Sequence, residues 1–198
     1  MASAEIVYFD RPGKHNTEEL IQHVSESIGR TGIDTVVIAS STGETAIRAI
    51  ESWSDRCKNI VVVTSHAGFT DEGMLEMDSE TEQRIRKAGA TVVRASHVLS
   101  GLERSFTRRF QGISRSEVVS ETLRTLFGQG MKVCIEISIM AADSGAIVCG
   151  ESEIIAVGGT GEGADTACVV RPSHASNFFK FEVREILAKP RSRGESGY

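Results

Sequence analysis

Residues 35–50 read TVVIASSTGETAIRAI. Four β-branched residues in a row, Thr35 to Ile38, closed by Ala39 with no charged interruption, are the signature of a strand buried on both faces. The hydroxyl and glycine turn after it leads into a helix that starts at Thr42 or Gly43 and turns Ala46, Ile47 and Ile50 inward. Strand, turn and amphipathic helix in that order are the repeating unit of a parallel sheet. Outward from this unit the rhythm recurs. Short apolar runs at residues 5–9, 59–64, 91–95, 132–135 and 153–157 predict five further buried strands.

The connecting segments predict helices. Asn16 with Glu19 three residues on marks a helix start, Leu20, Ile21, Val24 and Ile28 form its inward stripe, and Gly32 ends it. A thinner apolar face over residues 79–87, stopped by Gly89, predicts a peripheral helix. Leu99, Leu102, Phe106 and Phe110 recur at spacings of three and four. Ser114 and Glu117 then form a capping box before Val118, Val119, Leu123, Leu126 and Phe127, with Gly128 and Gly130 closing that helix. Residues 164–170 and 183–189 read as two further strands, joined by a loop holding Pro172, His174, Asn177 and Phe178. At least one of them is expected to run antiparallel at the sheet edge. The expectation is an α/β fold with a mostly parallel sheet, one domain over residues 1–190 and a loose tail over 191–198.

Composition narrows the partners. The 198 residues are 40% hydrophobic and 25% charged, with 3 Pro against 19 Gly, the balance of a folded domain. A net charge of -5 repels a phosphodiester backbone, so nucleic acid is not expected as a partner. No apolar segment approaches the roughly 18 residues a bilayer needs, so no membrane partner is expected either. Cys57, Cys134, Cys149 and Cys168 lack C-x-x-C spacing and predict reduced, buried thiols in a cytoplasmic protein. No metal-ligand spacing, phosphate-binding P-loop or G-x-S-x-G elbow is present.

In an open α/β sheet the ligand crevice lies beyond the carboxyl ends of the strands, so the residues after each strand are the site candidates. After the second strand, Ser40, Ser41, Thr42, Gly43 and Thr45 place hydroxyls and a glycine at a helix N-terminus. This suits a phosphate, or simply a helix cap. After the third, Thr64, His66, Gly68 and Phe69 offer a ring nitrogen, a close backbone approach and an aromatic face for a planar ring. After the fourth, His97, Gly101, Arg104 and Ser105 precede a local concentration of arginine. Arg104 is placed to fork onto a phosphate, the alternative being a solvated helix face. Glu136, Met140 and Asp143 come after the expected strand at 132–135. The Glu136 and Asp143 carboxylates suit ligand hydrogen bonds or an internal staple to loop amides. Gly159, Thr160, Gly163, Asp165 and Thr166 come after the sixth strand as an anion nest or a tight turn.

Several stretches together resemble the small stand-alone proteins similar to the C-terminal α/β domain of pyruvate kinase. They are Tyr8-Phe9 through Pro12-Gly13, Asn16-Thr17-Glu18-Glu19, Val37-Ile38-Ala39-Ser40-Ser41, Ser96-His97-Val98-Leu99-Ser100-Gly101-Leu102-Glu103-Arg104-Ser105, Ile139 through Ile147, Gly163-Ala164-Asp165-Thr166, Arg171-Pro172 and Asn177-Phe178-Phe179. The resemblance implies a three-layer sandwich, a homo-oligomer and flavin mononucleotide (FMN) as ligand, with Phe69 and Phe178 as aromatics for its ring. It implies no pyruvate kinase activity, because that chemistry belongs to a barrel of about 250 residues. Two functions stand as expectations: an FMN-binding protein, with flavin-dependent oxidoreductase activity open, or a non-catalytic sensor of a phosphorylated small molecule.

Overall fold

The computed structural model describes residues 4–194. Seven strands form one sheet in the order β1-β7-β6-β5-β2-β3-β4. They are β1 (Val7–Phe9), β2 (Thr35–Ala39), β3 (Asn59–Thr64), β4 (Thr91–Arg94), β5 (Ile154–Gly158), β6 (Thr166–Arg171) and β7 (Glu182–Pro190). All neighbours pair parallel except β6, which runs antiparallel to both β5 and β7. The architecture is the expected three-layer α/β sandwich, mostly parallel, with its antiparallel portion in the β7-β6-β5 half.

One face of the sheet is covered by α1 (Thr17–Thr31), α2 (Glu44–Trp53) and α3 (Ser79–Lys87). Leu20, Val24, Ala46, Trp53 and Ile85 pack there on Val36, Ile38, Val62, Ile155 and Val169. Trp53 is fully buried and its Nε1 donates to the Ile21 carbonyl at 3.0 Å, so the largest side chain of this layer also satisfies its one polar atom. α1 ends at Gly32, whose φ of 71° places it in the left-handed region that closes a helix at little cost.

The other face holds α6 (Gln129–Asp143), with α4 (Gly101–Phe110) and α5 (Arg115–Phe127) outside it. The strand expected at residues 132–135 is therefore the second turn of α6. Twelve of its fifteen residues are buried, because it lies between the sheet and α5. A helix buried all round loses the polar face that gives amphipathic periodicity, and a short apolar run cannot then be told from a strand. Gly130, expected to end the preceding helix, instead sits in the first turn of α6, while Gly128 alone caps α5.

The expected tail begins tied down: the Arg191 amide donates to the Phe9 carbonyl at 2.8 Å and Ser192 Oγ to that of Asp10 at 3.3 Å. Residues 195–198 of that tail lie outside the described residues.

Gly130 marks where α6 approaches the start of β6. A Cβ there would meet Thr166 Oγ1 at 2.1 Å and Asp165 Oδ1 at 2.7 Å. Alanine gains about 1 kcal/mol in helix propensity, but overpacking costs about 1–3 kcal/mol, and here both opposing atoms are fixed by hydrogen bonds. Gly130→Ala is expected to lower the thermal unfolding midpoint; an unchanged or raised midpoint contradicts this close approach.

Candidate functional site

The carboxyl ends of β2 and β3, the loop after β5 and one flank of α6 enclose a cleft of about 420 Å³. Each wall arises from a local choice in the chain. Beyond β2, the Ser40 amide donates to Val63 at 3.0 Å, and Thr64 Oγ1 donates to the Ser41 carbonyl at 2.8 Å, so the hydroxyl turn is fastened to the end of β3. Ser40 Oγ accepts from the Ala46 amide at 3.2 Å and so caps the first turn of α2 from inside. Capping thus falls to Ser40, which lines the cleft together with Ser41 and Thr42. Gly43 has φ of 94° and faces away. A Cβ on it would strike Thr81 Cγ2 at 2.4 Å, so this glycine serves the packing of α2 on α3.

Phe69 and His97 form the aromatic side of the cleft, with ring centroids 4.9 Å apart. His66 sits behind them, 5.6 Å from Phe69 and 5.8 Å from His97, with its Nδ1 2.7 Å from the Ala67 carbonyl. Gly68 forms the turn, its amide donating to Met74 at 2.9 Å. On the floor, Val63, Ile137 and Met140 supply apolar surface.

Sequence reasoning missed Lys132. It is the second-turn residue of α6, where a strand was expected, and it lines the cleft with its side chain only 4% exposed. It pairs with Glu136 one turn on, and the other Glu136 oxygen accepts the Leu99 amide at 2.9 Å. Burial holds the Lys132 ammonium below the usual lysine range despite that carboxylate. The signal was available in the i, i+4 Lys-Glu spacing, which only a helix brings together. Lys14, Glu44, Arg124, Gln129 and Glu162, at the cleft mouth, also escaped the sequence reading.

Four cations and three carboxylates therefore line this cleft in a protein whose net charge is -5. Lys14 is shared between Glu44 at 3.0 Å and Glu162 at 3.8 Å, Lys132 is paired with Glu136, and Arg124 lies against Glu121 and Gln129. Arg104, half-buried on α4, has no ion pair among the described residues. It is the cleft-lining cation without a close carboxylate among the described residues, its charge acting only at longer range on Glu117. Ser105 and Gly101, on the same helix, do not reach the cleft.

The glycine-rich segment after β5 is mostly occupied with itself. Asp165, fully buried, accepts from the amides of Gly13 at 2.9 Å and Thr160 at 3.2 Å and from Thr166 Oγ1 at 2.8 Å. A Cβ on Gly163 would meet Thr17 Oγ1 at 2.4 Å and one on Gly159 the Gly163 carbonyl at 2.3 Å. Of the residues expected here Gly159 and Gly163 line the cleft, joined by Gly161 and Glu162, whereas Thr160, Asp165 and Thr166 staple the loop to the turn before α1. No family model matches this chain.

Two expected site residues belong to the other end of the sheet. Because β6 runs against its neighbours, the chain leaving it emerges at the amino ends of β5 and β7. Phe178 lies in the short 3-10 segment Ala175–Lys180 there, packed against the α6 layer. Asp143 ends α6 at the same rim, its Oδ1 accepting the Ala175 amide at 3.1 Å and lying 3.1 Å from His174 Nδ1. Neither borders the cleft.

The cleft floor is open to two tests. Glu136→Leu leaves a buried ammonium unpaired and is expected to cost about 3–5 kcal/mol, with most of it restored in Lys132→Met/Glu136→Leu; urea melts of the three proteins check this. Burial also holds His97 below its ordinary value of 6.5. The unfolded chain then takes up a proton that the folded one resists, so stability declines as the pH falls below about 6.5. His97→Gln is expected to flatten that slope, and an unaltered slope assigns it elsewhere.

Proposed function

We propose that this cleft binds a phosphorylated small molecule with a planar ring, and that FMN is the ligand. The unpaired Arg104, lining the same cleft as the hydroxyl turn of residues 41–45, carries the reading. Guanidinium forks and helix N-termini both favour phosphate, and this cleft offers one of each inside a net-acidic protein. The resemblance noted for residues 96–105, 139–147 and 163–166 supports the same choice.

FMN fits the residues in hand. A volume of about 420 Å³ lies within the range of small-molecule sites. Ser41, Thr42 and Thr45 with the first amides of α2 would take the phosphate together with the Arg104 guanidinium, aided by Lys14 turning from Glu44. Thr64 and Ser65 hydroxyls suit the ribityl chain, and Phe69, His97 and the floor residues Ile137 and Met140 suit the ring. A bound flavin supplies electron and hydride transfer. The protein's own part is to orient it, to place the buried Lys132 charge beneath it and to keep water from its floor.

Titration of the purified protein with FMN, followed by flavin absorption and fluorescence quenching, is expected to show saturable 1:1 binding. Arg104→Ala is expected to weaken it by about 10- to 150-fold, from about 1.5–3 kcal/mol for a charged hydrogen-bonding pair. Asp143→Asn, at the far rim, leaves affinity unchanged. No response to FMN together with stabilisation by a sugar phosphate overturns the flavin assignment in favour of a metabolite sensor.

A further inference from the structure

We infer that the outer face of α4 and α5 is a self-association surface, on which a second copy of this chain docks about a two-fold axis. α4 contains no buried residue and α5 only Ser120, so two helices of 10 and 13 residues leave their apolar side chains in water. Leu102 is 75% exposed, Phe106 55%, Phe110 72%, Ile113 80%, Val118 53% and Leu126 65%. A free aromatic side chain offers about 150–250 Å² and an aliphatic one on the order of 100 Å². These fractions therefore amount to roughly 450–600 Å² of apolar surface on this helix pair, at the upper end of the patches a monomer carries and more than half of the ~800 Å² each partner contributes to a stable dimer.

The face is self-complementary in shape and charge. Leu102, Phe106 and Phe110 recur every four residues and make a ridge along α4, with the two phenylalanine rings 5.9 Å apart. Beside it lies a groove of about 590 Å³ lined by Ile113, Val118, Thr122 and Leu126. An isologous contact seats the ridge of each copy in the groove of the other, so both features are used twice and the assembly closes. Arg108 and Arg109 flank the ridge, are exposed and have no ion pair among the described residues, whereas Glu117 and Glu121 edge the groove. Docking brings the arginines of one copy alongside the acidic edge of the other, where Glu117 and Glu121 keep their bonds to Thr107 and Arg124 within their own chain. An anionic lipid surface fits less well, because the groove is concave and bordered by acids.

The same contact reaches the cleft through the helices it covers. Arg104 and Arg124 project from the inner sides of α4 and α5. α4 is held to α5 chiefly by Glu103 accepting the Ser116 amide at 2.9 Å and by Thr107 donating to Glu117 at 2.6 Å. A second copy on the outer face fixes this wall in place.

Sedimentation equilibrium and light scattering at micromolar protein, with anionic phosphatidylserine vesicles as a separate arm, test the proposal. The wild-type chain of 21.4 kDa is expected at the mass of two chains or an even multiple. Phe106→Asp and Ile113→Asp, both at exposed positions, are expected to halve that mass with circular dichroism unchanged. A single-chain or odd-numbered wild-type mass, an assembly that both variants leave intact, or vesicle binding by a monomer overturns it. Assembly is read without any ligand, so its failure leaves the FMN reading of the cleft standing, and the reverse.

Discussion

The burial of α6 against the sheet is the constraint on which the rest depends. Met131, Cys134, Ile135, Ile139 and Ala142 fill the second core with Val37, Val61, Ala156 and Cys168, and this fixes the helix to within a side chain's width. The same placement carries Lys132 and Glu136 under the carboxyl ends of β2 and β3. A charged pair costs free energy to remove from water, and it is kept here with one oxygen further satisfied by the Leu99 amide. A buried pair of that kind contributes little to net stability. Its position at the floor of the cleft bordered by the β2 and β3 carboxyl ends is what gives it meaning.

A second constraint is the reversal of β6. By running against its neighbours it returns the chain to the opposite rim, sending His174, Phe178 and the partners of Asp143 away from the cleft. It also makes the β5-to-β6 connection a tight turn at the cleft mouth. Asp165 satisfies three donors in that turn, and Gly159 and Gly163 allow its backbone to approach itself and Lys14. The glycines there are demanded by packing, whether or not a ligand touches them.

Much of this was legible in the sequence. The strand at residues 35–39, the helix between Asn16 and Gly32 and the capping box at Ser114 were readable because each combines a clear period with a terminal signal. The rule that ligands sit beyond strand ends gathered Ser41, Thr45, Thr64, Phe69, His97 and Arg104, all of which line one cleft. α6 was not legible as a helix by hydrophobic period, since a fully enclosed element has no wet face to mark. The strand reading of 132–135 then hid Lys132 and extended the site to Asp143. An antiparallel strand was expected among residues 164–170 and 183–189 and is β6, but alternation and β-branching do not record which of the two it is, and Phe178 was misplaced for that reason.

The claim at the centre is that one rim of the sheet, and not the other, grips a phosphorylated ligand. Amide chemical-shift mapping during titration with FMN tests it most directly. Concerted shifts are expected at Thr42, Thr45, Ser65, His97 and Gly159, with the segment from His174 to Lys180 unmoved. Shifts concentrated at that distal segment, or none at saturating FMN, would contradict it.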